Sequence, residues 1–118
     1  MDLRKLVTDR LTAEFGRPVR ERDKVWAWDA RVDVGVVVDM KTSPSGEYAE
    51  VWVPHPGDGF SIPSNARVRH PVHRHSGTFP SPGLRKGMAP LSFRIETTAQ
   101  LDELIRFIGG LPPIRGCA

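Results

Sequence analysis

Four valines in five residues, within Val34-Gly35-Val36-Val37-Val38, form the longest apolar run of this chain. β-Branched side chains are stiff at χ1 and favour extended backbone, and a run apolar at every position suits a strand covered on both faces. A sheet with this segment as an inner strand is therefore the first constraint on the fold, and the neighbours of the run supply its partners. Residues 24–31 alternate loosely, with Trp26 and Trp28 on one face. Ser43-Pro44-Ser45-Gly46 reads as a turn, and beyond it Tyr48, Glu50 and Trp52 alternate with Ala49, Val51 and Val53. Segments 33–41 and 47–53 thus form a predicted β-hairpin.

Helices are expected at both ends. Leu3, Leu6, Val7, Leu11 and Phe15 recur at three- and four-residue intervals, with Asp2 as a cap and Gly16 and Pro18 as stops. This predicts a helix over 3–15. Near the other end Leu101, Leu104, Ile105 and Ile108 form a second stripe, capped by Thr97 or Thr98 and ended by Gly109-Gly110. Leu91 to Glu96 precedes it as a strand with Leu91, Phe93 and Ile95 inward. Between Pro54 and Pro90 the chain is rich in proline and glycine. Residues 66–75 suit one edge strand, since Pro71 is tolerated only at an edge, and 76–90 read as a surface loop.

The expectation is one α+β domain over 1–118, an antiparallel sheet of about four to five strands with an N-terminal and a C-terminal helix, in the order α-β-β-β-loop/β-β-α. Residues 65–90 would be its basic, Pro/Gly-rich segment and 111–118 a flexible tail. At 118 residues the chain leaves no room for a second core. The element order is similar in outline to small α-β-α sandwich domains of the frataxin kind, a likeness of order alone that implies no activity.

The N-terminus MDLRKLVTDRL has no signal-peptide pattern, and no apolar run has the length of a membrane span. The single cysteine, Cys117, can form no internal disulfide, which points to a reducing compartment, the cytoplasm.

Charge is distributed unevenly. Residues 1–58 carry nine Lys/Arg against eleven Asp/Glu, whereas 59–95 contain no acid and six bases, Arg67, Arg69, Arg74, Arg85, Lys86 and Arg94. That segment also holds His70, His73 and His75, and Phe60 and Phe79 flank its bases. Arginine outnumbers lysine thirteen to four, and guanidinium forks suit phosphate and carboxylate. An acid-free basic stretch makes a local positive field of the kind phosphate contacts require, and the two phenylalanines suit base stacking.

Two further constellations carry chemistry. On an extended strand His73 and His75 share a side, a spacing compatible with metal coordination, but Arg67, Arg69 and Arg74 crowd it with positive charge and no carboxylate lies nearby, so no metal site is assigned. Asp29 on one strand, followed by Asp39-Met40-Lys41 at the end of the next, resembles the core of the PD-(D/E)xK nucleases. That resemblance implies two carboxylates holding Mg²⁺, Lys41 positioning or activating water, and Glu14 of the first helix as an additional ligand. The chain departs from the family pattern at Trp28, where proline is common, and in the turn and strand that follow Lys41 where a helix belongs.

The sequence thus points to binding rather than catalysis, with no cofactor: a small bacterial or phage-type accessory protein whose Arg67, Arg69, His73, Arg74, His75, Arg85 and Lys86 contact an acidic partner, a nucleic-acid backbone first. Two other readings stand beside it. One is a protein-interaction module of inhibitor, immunity or virion-assembly type. The other is a Mg²⁺-dependent nuclease built on Asp29, Asp39, Lys41 and Glu14.

Overall fold

The computed structural model describes residues 2–23, 25–31, 34–40, 46–55, 62–63, 65–68 and 90–110. The elements run α1 (Leu3–Phe15), β1 (Arg20–Glu21), β2 (Val25–Arg31), β3 (Val34–Asp39), β4 (Ala49–Val53), β5 (Ala66–Val68), β6 (Leu91–Ile95) and α2 (Thr98–Gly109). The strands form one antiparallel sheet in the order β1-β2-β3-β4-β6-β5. This is the expected α+β architecture with six strands in place of four or five. The additional strand is β1, where the Val19 and Arg22 amides donate to the carbonyls of Ala27 and Val25 at 2.8 and 2.9 Å. Two residues of alternating charge hold no hydrophobic signal, so only the backbone pairing reveals it.

Local chemistry sets the helix ends. The Asp2 carboxylate accepts from the Lys5 amide at 3.2 Å, capping α1, and Gly16 at φ +90° closes it with its N–H on the Thr12 carbonyl. The Leu3 amide donates to the carbonyl of Gly46, which pins the start of α1 to the turn before β4. In α2 the Thr97 hydroxyl accepts from the Gln100 amide at 3.1 Å, and the Gln100 side chain accepts in return from the Glu96 amide at 2.6 Å. The first bond satisfies an amide that the first turn leaves without a helical partner, and the second ties the residue before the cap to the helix.

Both helices lie on one face of the sheet. Val7 and Leu11 of α1 and Leu101, Leu104 and Ile108 of α2 share a core with Trp28, Val36, Val38, Val51, Phe93 and Ile95, all closed to solvent. Phe93 packs against Phe107 with centroids 5.3 Å apart, and Arg10 on α1 reaches Asp102 on α2 at 2.8 Å. The predicted alternation in β6, with Leu91, Phe93 and Ile95 inward, is present. On the opposite face Val25, Ala27, Val37 and Trp52 form a second, smaller cluster, also buried. That explains why β3 is apolar from Val34 to Val38: both of its faces are shut off from water.

The valine run therefore occupies an inner position, as its composition demands. β6, the last strand in sequence, is also an inner strand, between β4 and the three-residue edge strand β5. Val68 of β5 stands opposite Leu91 of β6. No helix among the described residues is long and apolar enough to cross a membrane.

Candidate nucleic-acid interface

Of the basic residues expected to contact a partner, Arg67 is described, and so is Arg94, the last base of the acid-free segment. Arg69, His73, Arg74, His75, Arg85 and Lys86 lie outside the described residues, as do positions 69–75 of the edge strand expected over 66–75 and the tail over 111–118. Arg67 is exposed at the middle of β5, the outermost strand of its side of the sheet. Its neighbour Ala66 stands opposite Phe93 on the helix-side face, while Arg67 stands opposite Ser92 on the other. Arg94 belongs to that second face too. Two residues along β6 from Ser92, it is a diagonal neighbour of Arg67, a relation that sets Cα atoms about 7–8 Å apart. Two of the six bases thus share one edge of one face, turned away from both helices.

The surroundings of the two arginines differ. Among the described residues no carboxylate pairs with Arg67. Arg94 instead has its Nε 3.5 Å from a Glu96 carboxylate oxygen and its guanidinium carbon 3.8 Å from the centre of the Tyr48 ring. Glu50 stands opposite Arg94 across the β4–β6 pair, and its carboxylate accepts from the Ser92 hydroxyl at 2.7 Å. Neither Tyr48 nor Glu96 was among the expected site residues. Glu96 reaches Arg94 from two residues along the same segment, whereas only the pairing of β4 with β6 brings Tyr48 to it.

The residues of the nuclease resemblance are not gathered in this way. Asp29 stands opposite Gly35 and Asp39 opposite Val25, so the two carboxylates lie four strand residues apart, about 13 Å along the β2–β3 pair. That separation exceeds what one cation can bridge at oxygen-ligand distances of 2.0–2.6 Å. Asp29 is exposed, whereas Asp39 is buried and stands opposite Glu50. Glu14 is on α1, on the other side of the sheet, where it accepts from Arg10 at 3.1 Å. Lys41 lies outside the described residues, and the chain continues into β4 instead of the helix that family carries. Among the described residues no three His, Cys, Asp or Glu side chains group to hold a metal ion.

A shallow, open cleft of about 360 Å³ lies where α1 meets β2 and β3, lined in part by Arg4, Lys5, Asp9, Trp26 and Met40. Its charges are committed to local bonds, Lys5 to Asp9 at 2.9 Å and Arg4 to the Met40 carbonyl. Trp28 and Trp52 are buried and Trp26 is half-buried, so the tryptophans do not form an exposed protein-binding face; the only large hydrophobic residue exposed among those described is Val19.

Among the described residues the resolved electrostatic perturbations lie away from the β5–β6 edge. Hydrogen bonds from Arg10 to Asp102 and to Glu14 hold its guanidinium above its ordinary value. Burial, with help from Arg22, lowers Arg20. Compared with models of known protein families, with characterised proteins and with solved structures, the chain matches none.

Proposed function

We propose that the protein is a non-enzymatic binding protein of the cytoplasm, an accessory factor of bacterial or phage type, that uses the basic stretch carried by β5, β6 and the chain between them to contact a nucleic-acid backbone. One observation carries the reading. Arg67 stands exposed on an edge strand, with no carboxylate partner among the described residues, at the head of a stretch that has no acid from residue 59 to residue 95. An arginine balanced by an internal carboxylate would serve the fold; one left to solvent on an edge is available to an external anion. Because β5 and β6 are paired, the chain that leaves Val68 returns beside it at Leu91, so the bases of the segment are tethered at both ends to this edge. Phosphate contacts of this kind position a partner without reading its sequence.

The test is fluorescence anisotropy of labelled single- and double-stranded DNA and RNA at two salt concentrations, with and without Mg²⁺, the endpoints being run on a gel. Binding that weakens steeply with salt, and weakens further when Arg67, Arg69 and Arg74 become alanine, is expected. Absence of binding at low salt would refute the proposal and turn the search to an acidic protein surface. Mg²⁺-dependent cleavage on the same gel, lost in Asp39→Ala, would replace it with a nuclease.

A further inference from the structure

Arg94 differs from the other bases in what its guanidinium can do. Its charge is offset locally, by Glu96 at 3.5 Å and by Glu50 opposite it on β4. It therefore adds little to the positive field that draws in a polyanion. Its position, however, is held. The β4–β6 register pairs Ala49 with Ile95 and Glu50 with Arg94, which brings Tyr48 alongside Glu96 and places Arg94 on the diagonal to Tyr48. The guanidinium lies 3.8 Å over the Tyr48 ring while the Arg94 side chain keeps 56% of its surface exposed. The ring thus backs the guanidinium carbon, and more than half of the Arg94 side chain remains open to a partner. An aromatic ring backed onto a guanidinium is a surface on which an unstacked base can lie, since bases stack on both groups.

We infer that the partner of this edge is a single-stranded nucleic acid, one base of which stacks on the outer side of the Arg94 guanidinium while Arg67, the diagonal neighbour of Arg94, takes an adjoining phosphate. The inference rests on the nucleic-acid reading above and adds to it a class of substrate and a division of labour between two arginines. A duplex offers the phosphate but keeps the faces of its bases inside its own stack, so it satisfies Arg67 and not Arg94.

Three labelled probes separate these contributions: a thymidine oligonucleotide of about twelve residues, within the site sizes of single-strand binders, an abasic oligonucleotide with the same number of phosphates, and a duplex of the same length. The expected result is an affinity for the thymidine strand roughly tenfold above that for the abasic strand. Arg94→Lys, which keeps the positive charge and loses the plane, removes that difference while leaving the salt dependence as it was. Equal affinity of the unmodified protein for the thymidine and abasic strands overturns the stacking inference and leaves the phosphate reading standing. A duplex bound as tightly as the single strand does the same. A base preference that survives Arg94→Lys overturns the assignment to Arg94. Failure to bind any of the three at low salt removes the inference together with the reading beneath it.

Discussion

Replacing Phe93 by alanine tests the least obvious feature of the fold, the inner position of β6. Phe93 is closed to solvent: Val51 stands opposite it on β4, Ala66 on β5, and the Phe107 ring of α2 lies 5.3 Å away. Removing a fully buried phenylalanine costs about 3–5 kcal/mol, the lost transfer free energy plus the cavity its neighbours cannot fill. For a domain whose total stability is about 5–15 kcal/mol, that is at least a fifth of the total. With a urea m-value of about 2 kcal/mol/M, the unfolding midpoint drops by roughly 2 M. Urea titration followed by tryptophan fluorescence and by far-ultraviolet circular dichroism reads this directly, because Trp28 and Trp52 are buried reporters on either face of the sheet. Phe107→Ala, at a half-buried position, completes a double-mutant cycle in which the ring pair contributes a coupling of about 0.5–1.5 kcal/mol. A loss below about 1 kcal/mol for Phe93→Ala is the behaviour of a half-open edge strand and would refute the strand order. A coupling of zero would refute the docking of α2 on β6.

Other outcomes can be read with similar assays. Gly46→Ala is expected to cost about 2 kcal/mol by chemical denaturation, because Gly46 sits at φ +78° and an added Cβ would meet the Asp2 carboxylate oxygen at 2.7 Å, straining the turn and displacing the cap of α1. Gly16→Ala, at φ +90° with open space around it, should lose only the backbone part, about 1 kcal/mol. Arg67→Ala should weaken oligonucleotide binding regardless of sequence and reduce the slope of log affinity against log salt by about 0.7–0.9, measured by anisotropy across a salt series. The Lys5 ammonium is held above its ordinary value of 10.5, chiefly by its hydrogen bond to Asp9. A cation with a raised folded-state value stabilises fully below the unfolded value and ceases to do so as pH climbs past the folded one, so this contribution disappears only above about pH 10.5. Asp9→Asn should bring Lys5 back toward 10.5 in an NMR titration and remove the alkaline loss.

The sequence exposed those parts of this fold that local periodicity records. The Leu3, Val7, Leu11 stripe with Asp2 before it and Gly16 after it encodes α1 to the residue, and the valine run announced a strand buried on both faces. β1 escaped because Arg20-Glu21 carries no apolar phase and is held by backbone bonds to β2 alone. The candidate site was legible only as composition. An acid-free stretch shows in a residue count, but the diagonal of Arg67 and Arg94, the ring beneath Arg94 and the four-residue gap between Asp29 and Asp39 all depend on register. Register follows from which strands pair, and Val53 with Leu91 is a pairing across a long stretch of chain that no local pattern encodes. The nuclease resemblance illustrates the limit: Asp29 and Asp39 occupy adjacent strands and the same face, yet stand at opposite ends of it.

An inner strand that is made last has a consequence for synthesis. While the chain is being produced, β1 to β4 and α1 can assemble as their residues appear, but the free side of β4 then presents unpaired backbone groups beside an apolar face that still lacks Phe93, Ile95 and the leucines of α2. β5 fares worse, since its one partner strand is the one still to come. Long-range pairings of this sort are slow to form, and open strand edges are templates for association with other chains. The acid-free stretch ends in the strand that closes the sheet, so by the time that strand emerges the chain already carries five of the six bases and exposes an unfinished edge. A shortened chain ending ahead of Leu91 would accordingly be no smaller version of this protein but a sticky half-sheet, and the yield of soluble material should change abruptly between a chain that stops before β6 and one that includes α2.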